Sequence, residues 1–307
     1  MLANLRQSSP LLVLGFILLW NSGFIGAEFG LDYAGVFSLL WWRYALLAVL
    51  LMLCLAVCGR LRWPGTRAVG LTSVVGLFSH GVWLSCVMIS LELGIPAGIV
   101  ALVVALQPMT VGALSGRVTG EPTSTTGWVG LVIGFTGVLI AVVSRARMDE
   151  AISPLLYLVP FGSVVAFTIA SLLQRWIEVQ RPADHVPVFQ ALFYQSLVTA
   201  VVAVLPALAL EGMSTRWVPE FFALLGWLSI AVSLGAYALM WRLIERMDAT
   251  RVASLFYLGP PVTMLMAWIA LGDTLQTTDL VGLAVTAAGV VLVYQAGRLE
   301  NRRRVRL

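Results

Sequence analysis

Ten apolar runs of about 20 residues restrict the folds that this sequence can adopt. Bilayer hydrocarbon offers no partner to backbone N–H and C=O groups, so only helices and closed barrels cross a membrane. Runs of this length match spanning helices, because a barrel strand needs only about 9–11 residues. The chain is 60% hydrophobic and 11% charged, which predicts an all-α integral membrane protein. The predicted spans are 11–28, 36–58, 70–90, 96–115, 126–144, 152–173, 187–210, 221–241, 252–271 and 279–297.

The second half of the chain repeats the first at an offset of 152 or 153 residues. Each half holds five predicted spans, an odd number, so the halves enter the membrane from opposite sides and are predicted to be inverted repeats. We expect a first repeat over 1–147 and a second over 148–307, packed into one ten-helix bundle. The recurring pairs include Glu92 and Glu245, Pro108 and Pro261, Gly130 and Gly282, and Gly137 and Gly289.

The arginines predict the orientation of the chain, which contains no lysine. If the N-terminus is cytoplasmic, 15 of the 19 arginines fall in cytoplasmic segments, and only Arg145, Arg147 and Arg216 fall in external ones. The positive-inside rule therefore places both termini in the cytoplasm. The basic C-terminal segment, 302–306, predicts contact with anionic lipid rather than with nucleic acid.

Several motifs recur at matching places in the two halves. They are prolines in the fourth and ninth spans, the turns Gly120-Glu121 and Gly272-Asp273, and glycine-rich fifth and tenth spans; the first half adds the stretch Trp20–Gly26 in its first span and Arg43 after Trp41 and Trp42 in its second. Together they resemble the EamA family of the drug/metabolite transporter superfamily over nearly the whole chain. The resemblance implies a bacterial inner-membrane carrier, commonly an exporter of amino acids, other metabolites or drugs. It also implies a central cavity lined by spans 1, 3, 4, 6, 8 and 9.

Polar and aromatic side chains inside the spans are the candidate substrate-binding residues, because polar groups there are costly without a partner and often functional. His80 and Trp83 share one helical face, and Ser233 occupies the repeat-equivalent position of His80. Two interpretations of His80 stay open: an interhelical hydrogen bond, or a substrate ligand or proton carrier. The predicted substrate-binding residues are Trp20, Asn21, His80, Trp83, Gln107, Phe167, Ser233, Tyr237, Ser254 and Tyr257.

Prolines inside the fourth and ninth spans are predicted to bend them, because proline removes a backbone donor and crowds the preceding turn. Pro108, Pro260 and Pro261 are therefore candidate gate points, and a static kink is the alternative interpretation.

Arg43 lies about two turns into the second span, and its repeat equivalent is Gln195. An arginine at that depth is expected to snorkel or to pair. We expect it to bond helix-end carbonyls or Glu28, with binding of a substrate carboxylate as the alternative. Glu121 and Asp273 precede the fifth and tenth spans and are expected to complement the helix N-termini.

The sequence carries no enzyme signature. It lacks a G-x-x-x-x-G-K phosphate loop, and its cysteines and histidines are not spaced as metal ligands, so no metal or cofactor is expected. The absence of a carboxylate deep in the spans leaves proton coupling through His80, facilitated diffusion and exchange as open mechanisms. The prediction is a secondary carrier that exports amino acids or similar small amphipathic metabolites. Multidrug efflux of hydrophobic compounds and a membrane scaffold or receptor without transport are the alternatives.

Overall fold

The structure, a computed structural model, describes residues 10–95, 97–143, 153–271 and 276–304, and its named elements in these ranges are all helices. Within these ranges, eight helices are long and apolar enough to cross a membrane, and Thr125–Ala141 is a shorter apolar helix. The predicted all-helical membrane class is therefore confirmed. The predicted ninth span is built from three shorter helical pieces.

Fourteen α-helices follow one another in the described part of the chain. They are α1 (Pro10–Leu31), α2 (Val36–Val57), α3 (Thr66–Gly76), α4 (Trp83–Glu92), α5 (Ala97–Val104), α6 (Gln107–Val118), α7 (Thr125–Val143), α8 (Val159–Gln180), α9 (Val188–Glu211), α10 (Pro219–Gly226), α11 (Tyr237–Arg246), α12 (Ala249–Ser254), α13 (Gly259–Leu271) and α14 (Thr277–Arg304). Short 3₁₀ turns cover Pro154–Leu158, Pro182–Asp184 and Leu255–Leu258.

Two π-helical segments join α3 to α4 and α10 to α11. They span Leu77–Val82 and Trp227–Ala236, and they contain His80 and Ser233 respectively. A π turn widens the helix locally and is frequent at functional sites. The apolar pattern of both stretches predicts ordinary α-helix, so the π-helical segments appear only in the structure.

The prolines of the fourth and ninth predicted spans begin new helices and do not bend continuous ones. α5 ends at Val104, and Pro108 lies in the first turn of α6. Pro260 and Pro261 lie in the same way in the first turn of α13. Proline is well tolerated there because the first N–H groups of a helix have no intrahelical partner. The fourth and ninth predicted spans are therefore interrupted just before their prolines, and the role of these prolines as gate points stays a prediction.

The repeated glycines allow α7 and α14 to cross at close range. A Cβ atom on Gly130 would lie 2.8 Å from the carbonyl oxygen of Gly289, and one on Gly282 would lie 2.8 Å from that of Gly137. The start of α7 thus meets the middle of α14, while the later part of α7 meets the start of α14. These two helices run antiparallel, and small residues permit this approach of the two backbones.

Candidate functional site

Trp20 of α1 lies at the centre of an aromatic cluster drawn from five helical elements. Its ring centroid is 4.9 Å from those of Tyr237 and Phe256, 5.4 Å from that of Trp83 and 5.9 Å from that of Phe167. We call these five residues the aromatic cluster. Four of them are predicted site residues that the fold brings together from distant parts of the sequence. Phe256 was missed.

A cavity of about 220 Å³ lies beside the aromatic cluster. It extends from Trp20 toward the end of the bundle where α1 reaches Leu31 and α4 reaches Glu92, which we call the Leu31 end. Pro260 is the only one of the three candidate gate prolines that lines it. The other lining residues are mostly apolar: Phe24, Ile25, Trp83, Val87, Leu91, Val100, Ala101, Val104, Ala105, Phe256, Gly259, Thr263 and Met264.

Arg43 is buried beside the cavity, with only 4% of its surface exposed. It borders a small adjoining space together with Trp20, Trp83 and Tyr237, and its Nε donates to Ser233 Oγ at 2.6 Å. Among the described side chains, no carboxylate lies within ion-pair distance of Arg43. The side chain of its predicted partner, Glu28, lies outside the described ones. The guanidinium group can donate charge-assisted hydrogen bonds to an anionic group that enters this space.

His80 is fully buried and holds three helices together. Its Nε2 lies 3.1 Å from Gln195 Oε1, and its Nδ1 lies 3.1 Å from the Tyr44 hydroxyl. Since Gln195 Oε1 also accepts from Trp241 Nε1 at 3.0 Å, we assign the imidazole proton to Nε2 and let Nδ1 accept from Tyr44. The geometry is that of an interhelical hydrogen bond, the first of the two predicted interpretations. Neither His80 nor Gln195 lines the cavity.

The remaining predicted substrate-binding residues face other elements. Tyr257 packs against Gly134 of α7, and its buried hydroxyl has no hydrogen-bond partner among the residues that the structure describes. The Oδ1 of Asn21 accepts from Thr263 at 3.2 Å and so joins α1 to α13. This remaining group consists of four residues that do not line the cavity: Asn21, Gln107, Ser254 and Tyr257.

The 3₁₀ turn affects the directions of Phe256, which was not predicted, and of Tyr257, which was predicted because it lies near Pro260 and Pro261. Over Leu255–Leu258 the chain advances by three residues per turn and not by 3.6, so successive side chains point in directions that α-helical periodicity does not predict. As a result Phe256 contacts Trp20 while Tyr257 faces α7. No local sequence signal distinguishes the two residues.

An ion pair connects α8 to the turn before α7 at the opposite end of the bundle, which we call the Arg175 end. Arg175 of α8 donates from Nε and Nη2 to the two carboxylate oxygens of Glu121, at 2.8 and 2.6 Å. Its Nη1 donates to the carbonyl of Ile244 in α11 at 2.8 Å. The predicted capping of α7 by Glu121 is therefore wrong: Ser124 Oγ accepts from the N–H of Gly127 in the first turn of that helix. The turn at Gly272-Asp273 lies outside the described residues.

Comparison with known proteins identifies the family. The sequence matches the EamA-like transporter family over residues 7–143 and again over residues 154–295. The chain belongs to the EamA-like transporter family. The resemblance seen in the sequence is thereby confirmed, and the family consists of transporters rather than enzymes.

Relatives of this EamA-like transporter support the same assignment. The "Probable amino-acid metabolite efflux pump" of Salmonella typhimurium is 24% identical, covering 98% of this chain and 99% of the relative. The "Uncharacterized inner membrane transporter YedA" of Escherichia coli is 24% identical, with coverages of 94% and 92%. The "Probable terminal-alkyne amino-acid exporter" of Streptantibioticus cattleyicolor is 25% identical, with coverages of 94% and 93%. The chain is thus a multi-pass membrane transporter.

A solved structure shares the fold of this transporter. It is described as "Crystal structure of protein", is 20% identical in sequence and superimposes with a TM-score of 0.75. The match covers 94% of this chain and 96% of the other. At that identity the likeness concerns the fold alone.

Proposed function

We propose that this transporter is a secondary carrier that exports amino acids or similar small amphipathic metabolites by alternating access. The observation that carries the proposal is the cavity beside the aromatic cluster, with Arg43 lining the small space that adjoins it. A guanidinium group binds a carboxylate through paired, charge-assisted hydrogen bonds. The apolar wall accepts the side chain of the same molecule. The names of two relatives, which concern amino acids, support this substrate class.

The proposed architecture has ten spans in two inverted halves, 1–147 and 148–307, in the inner membrane of a bacterial cell. The antiparallel crossing of α7 and α14 supports it, because equivalent helices of inverted repeats run in opposite directions. Two separate family matches, one in each half, support it as well. Both termini are cytoplasmic in this arrangement, so the Leu31 end is external and the Arg175 end is cytoplasmic.

In this orientation the structure represents an outward-facing state. The cavity extends toward the external side, while the Arg175–Glu121 ion pair holds the cytoplasmic ends of α8 and α11 to the turn before α7. Alternating access requires that this contact open when the external side closes.

Flux in proteoliposomes tests the proposed function. Purified protein is reconstituted, loaded with one unlabelled amino acid and supplied with the same labelled amino acid outside, with and without a pH gradient. Counterflow without a gradient is expected, because facilitated diffusion or exchange needs no titrating carboxylate in the cavity. Absence of flux for all amino acids, together with efflux of lipophilic cations, would contradict the proposed substrate class.

Labelling with a membrane-impermeant thiol reagent tests the proposed orientation. Cys58 is exposed after α2, and Ser214 is exposed after its repeat equivalent α9. In single-cysteine variants, Cys58 should react only from the cytoplasmic side and Ser214→Cys only from outside. Reaction of both from one side would refute the inversion.

Efflux of hydrophobic compounds is the second candidate function. The mostly apolar wall of the cavity favours it. The position of Arg43 separates the two candidates, since a buried cation repels the lipophilic cations that are common among exported drugs.

A further inference from the structure

Three side chains of types that commonly ligate metal ions converge at the Arg175 end, outside the cavity. Glu178 lies near the end of α8, His185 in the loop before α9, and Glu245 near the end of α11. The Nε2 of His185 is 3.4 Å from Glu178 Oε1 and 3.6 Å from Glu245 Oε1. One ligand atom from each residue lies within 4.8 Å of the other two. Sequence spacing alone did not bring these residues together.

The separations suit ligands of one ion better than direct hydrogen bonds. A charge-assisted N–H···O bond is about 2.7–2.9 Å long, shorter than both distances from His185. Two ligands at about 2.0–2.1 Å from a tetrahedral ion are about 3.3–3.4 Å apart, given the Zn–N and Zn–O lengths seen in proteins. The arrangement therefore leaves room for an ion between the imidazole and the two carboxylates.

We propose that Glu178, His185 and Glu245 form a binding site for a divalent transition metal ion of the Zn²⁺ class. Three protein ligands leave a fourth position for water, as in open zinc sites. The three residues come from α8, from a loop and from α11, so a bound ion cross-links these elements next to the Arg175–Glu121 ion pair.

The surroundings of the site are already organised. Gln174 Nε2 donates to Glu178 Oε1 at 2.9 Å and orients that carboxylate, as outer-shell partners commonly do in metal sites. Pro182 and Pro187 flank the loop that carries His185, and fixed proline φ angles limit its freedom. The His185 side chain is 34% exposed, which leaves a path for an ion from solvent.

Two features compete with an ion at this site. Arg242 Nη1 lies 3.8 Å from Glu245 Oε2 and adds a positive charge. The Glu245 carboxylate, with a smaller effect from Glu178, raises the pKa of His185 against its partial burial, so a proton on the imidazole is the rival occupant. The experiment must therefore separate a metal from a proton.

Calorimetric titration of ZnCl₂ into the purified, tag-free protein in detergent tests the site. Cys54, Cys58 and Cys86 are replaced by serine, because the exposed thiols of Cys54 in α2 and of Cys58 just after it are themselves zinc ligands by type. We expect one ion per chain, with affinity lowered at least about tenfold in His185→Ala and in Glu245→Gln. Arg242→Gln should strengthen binding, since it removes the neighbouring positive charge.

Asp184→Asn is the matched control. Asp184 adjoins His185 in sequence but pairs with Arg67 at 3.4 Å, so its loss should change zinc affinity less than about twofold. Unfolding temperatures without zinc show whether each variant is folded, and zinc should raise the temperature of the parent but not of His185→Ala. No zinc binding in the parent, or equal binding in the folded His185→Ala protein, would overturn the proposal. The titration needs neither substrate nor flux, so its outcome is independent of the proposed transport function.

Discussion

The Nε of Arg43 donates a hydrogen bond of 2.6 Å to the hydroxyl of Ser233, and this contact has a counterpart in the other half of the chain. Gln195 follows Arg43 by 152 residues, and His80 precedes Ser233 by 153. Gln195 and His80 are also in contact, at 3.1 Å. The same two repeat-related positions thus contact each other twice, once through Arg43 and Ser233 and once through Gln195 and His80. One pair places a cation in the small space that adjoins the cavity, and the other forms a buried hydrogen-bond network that does not line the cavity.

Replacement of Arg43 should remove recognition of a carboxylate. We expect Arg43→Gln to weaken amino-acid binding at least about tenfold, equivalent to about 1.4 kcal/mol, because a bidentate, charge-assisted contact is lost. Binding of the corresponding amino-acid amide should change little. Ser233→Ala is the control, since it keeps the guanidinium and removes only its hydrogen-bond acceptor. Competition binding in detergent measures the affinity of each protein for the amino acid and for its amide. Equal losses of affinity for the acid and the amide in Arg43→Gln would argue for a structural role of Arg43.

Removal of the Trp20 ring should impair transport more than removal of a surface tryptophan. Trp20 contacts the other four members of the aromatic cluster, whereas Trp63 is 68% exposed. We expect Trp20→Ala to lower kcat/KM at least about tenfold and Trp20→Phe to have a smaller effect, because a ring remains. Trp63→Ala should transport like the parent in the same proteoliposome assay. Normal flux in Trp20→Ala would place the substrate pathway elsewhere.

Breaking the Arg175–Glu121 ion pair should open the Arg175 end. Thr168 is buried between this ion pair and the aromatic cluster, where it bonds Thr110 at 2.6 Å. In a background without native cysteines, we expect Thr168→Cys to react several-fold faster from the cytoplasmic side when Glu121→Gln is added, because the closed state loses a stabilising contact. The charge-swapped pair Glu121→Arg with Arg175→Glu should restore slow labelling.

The exposed ion pair between Arg67 and Asp184 supplies the control for this experiment. It lies at the same end of the bundle, but its arginine side chain is largely exposed, and surface pairs contribute little. Asp184→Asn should therefore leave the labelling of Thr168→Cys unchanged. Equal acceleration by Asp184→Asn and by Glu121→Gln would mean that the Arg175–Glu121 contact has no special part in closing this end.

A side chain at the crossing of α7 and α14 should destabilise the bundle. A Cβ atom on Gly137 would clash with backbone and side-chain atoms of Thr286, so we expect Gly137→Ala to lower the free energy of unfolding by about 1–3 kcal/mol, as in other overpacked sites. Gly70→Ala in α3 meets no atom within 4 Å. It should be neutral or stabilising by up to about 1 kcal/mol through helix propensity. Thermal unfolding in detergent compares the two variants, and similar unfolding temperatures would show that the crossing can relax.

Tyr257→Phe should preserve both transport and stability. The Tyr257 hydroxyl is buried with no hydrogen-bond partner in the described part of the chain, and its ring packs on Gly134. Removing a buried hydroxyl that makes no hydrogen bond is neutral or favourable, because the free-energy cost of taking that hydroxyl out of water is removed with it. A large loss of flux in Tyr257→Phe, with an unchanged unfolding temperature, would instead show that this hydroxyl meets the substrate in another state of the transport cycle.

The membrane class, the repeat and the family resemblance were predictable from the sequence alone. The length and composition of each apolar run indicate directly that the helix lies in lipid rather than in water. Glycines such as Gly130 and Gly282 indicate the repeat by their spacing along the chain. The aromatic residues Trp20, Trp83, Phe167 and Tyr237 were predicted from the sequence as site residues and lie together in the structure.

Only the tertiary structure decided which side of each helix faces the cavity and which distant groups meet. In a membrane helix, the lipid-facing and core-facing sides are both apolar, so hydrophobic periodicity does not report the rotation of the helix about its axis. A local change of helix type then moved Phe256 into the aromatic cluster and turned Tyr257 toward α7. The contact of Arg175 with Glu121 joins residues far apart in sequence, and such a pairing depends on how the helices pack rather than on any local pattern.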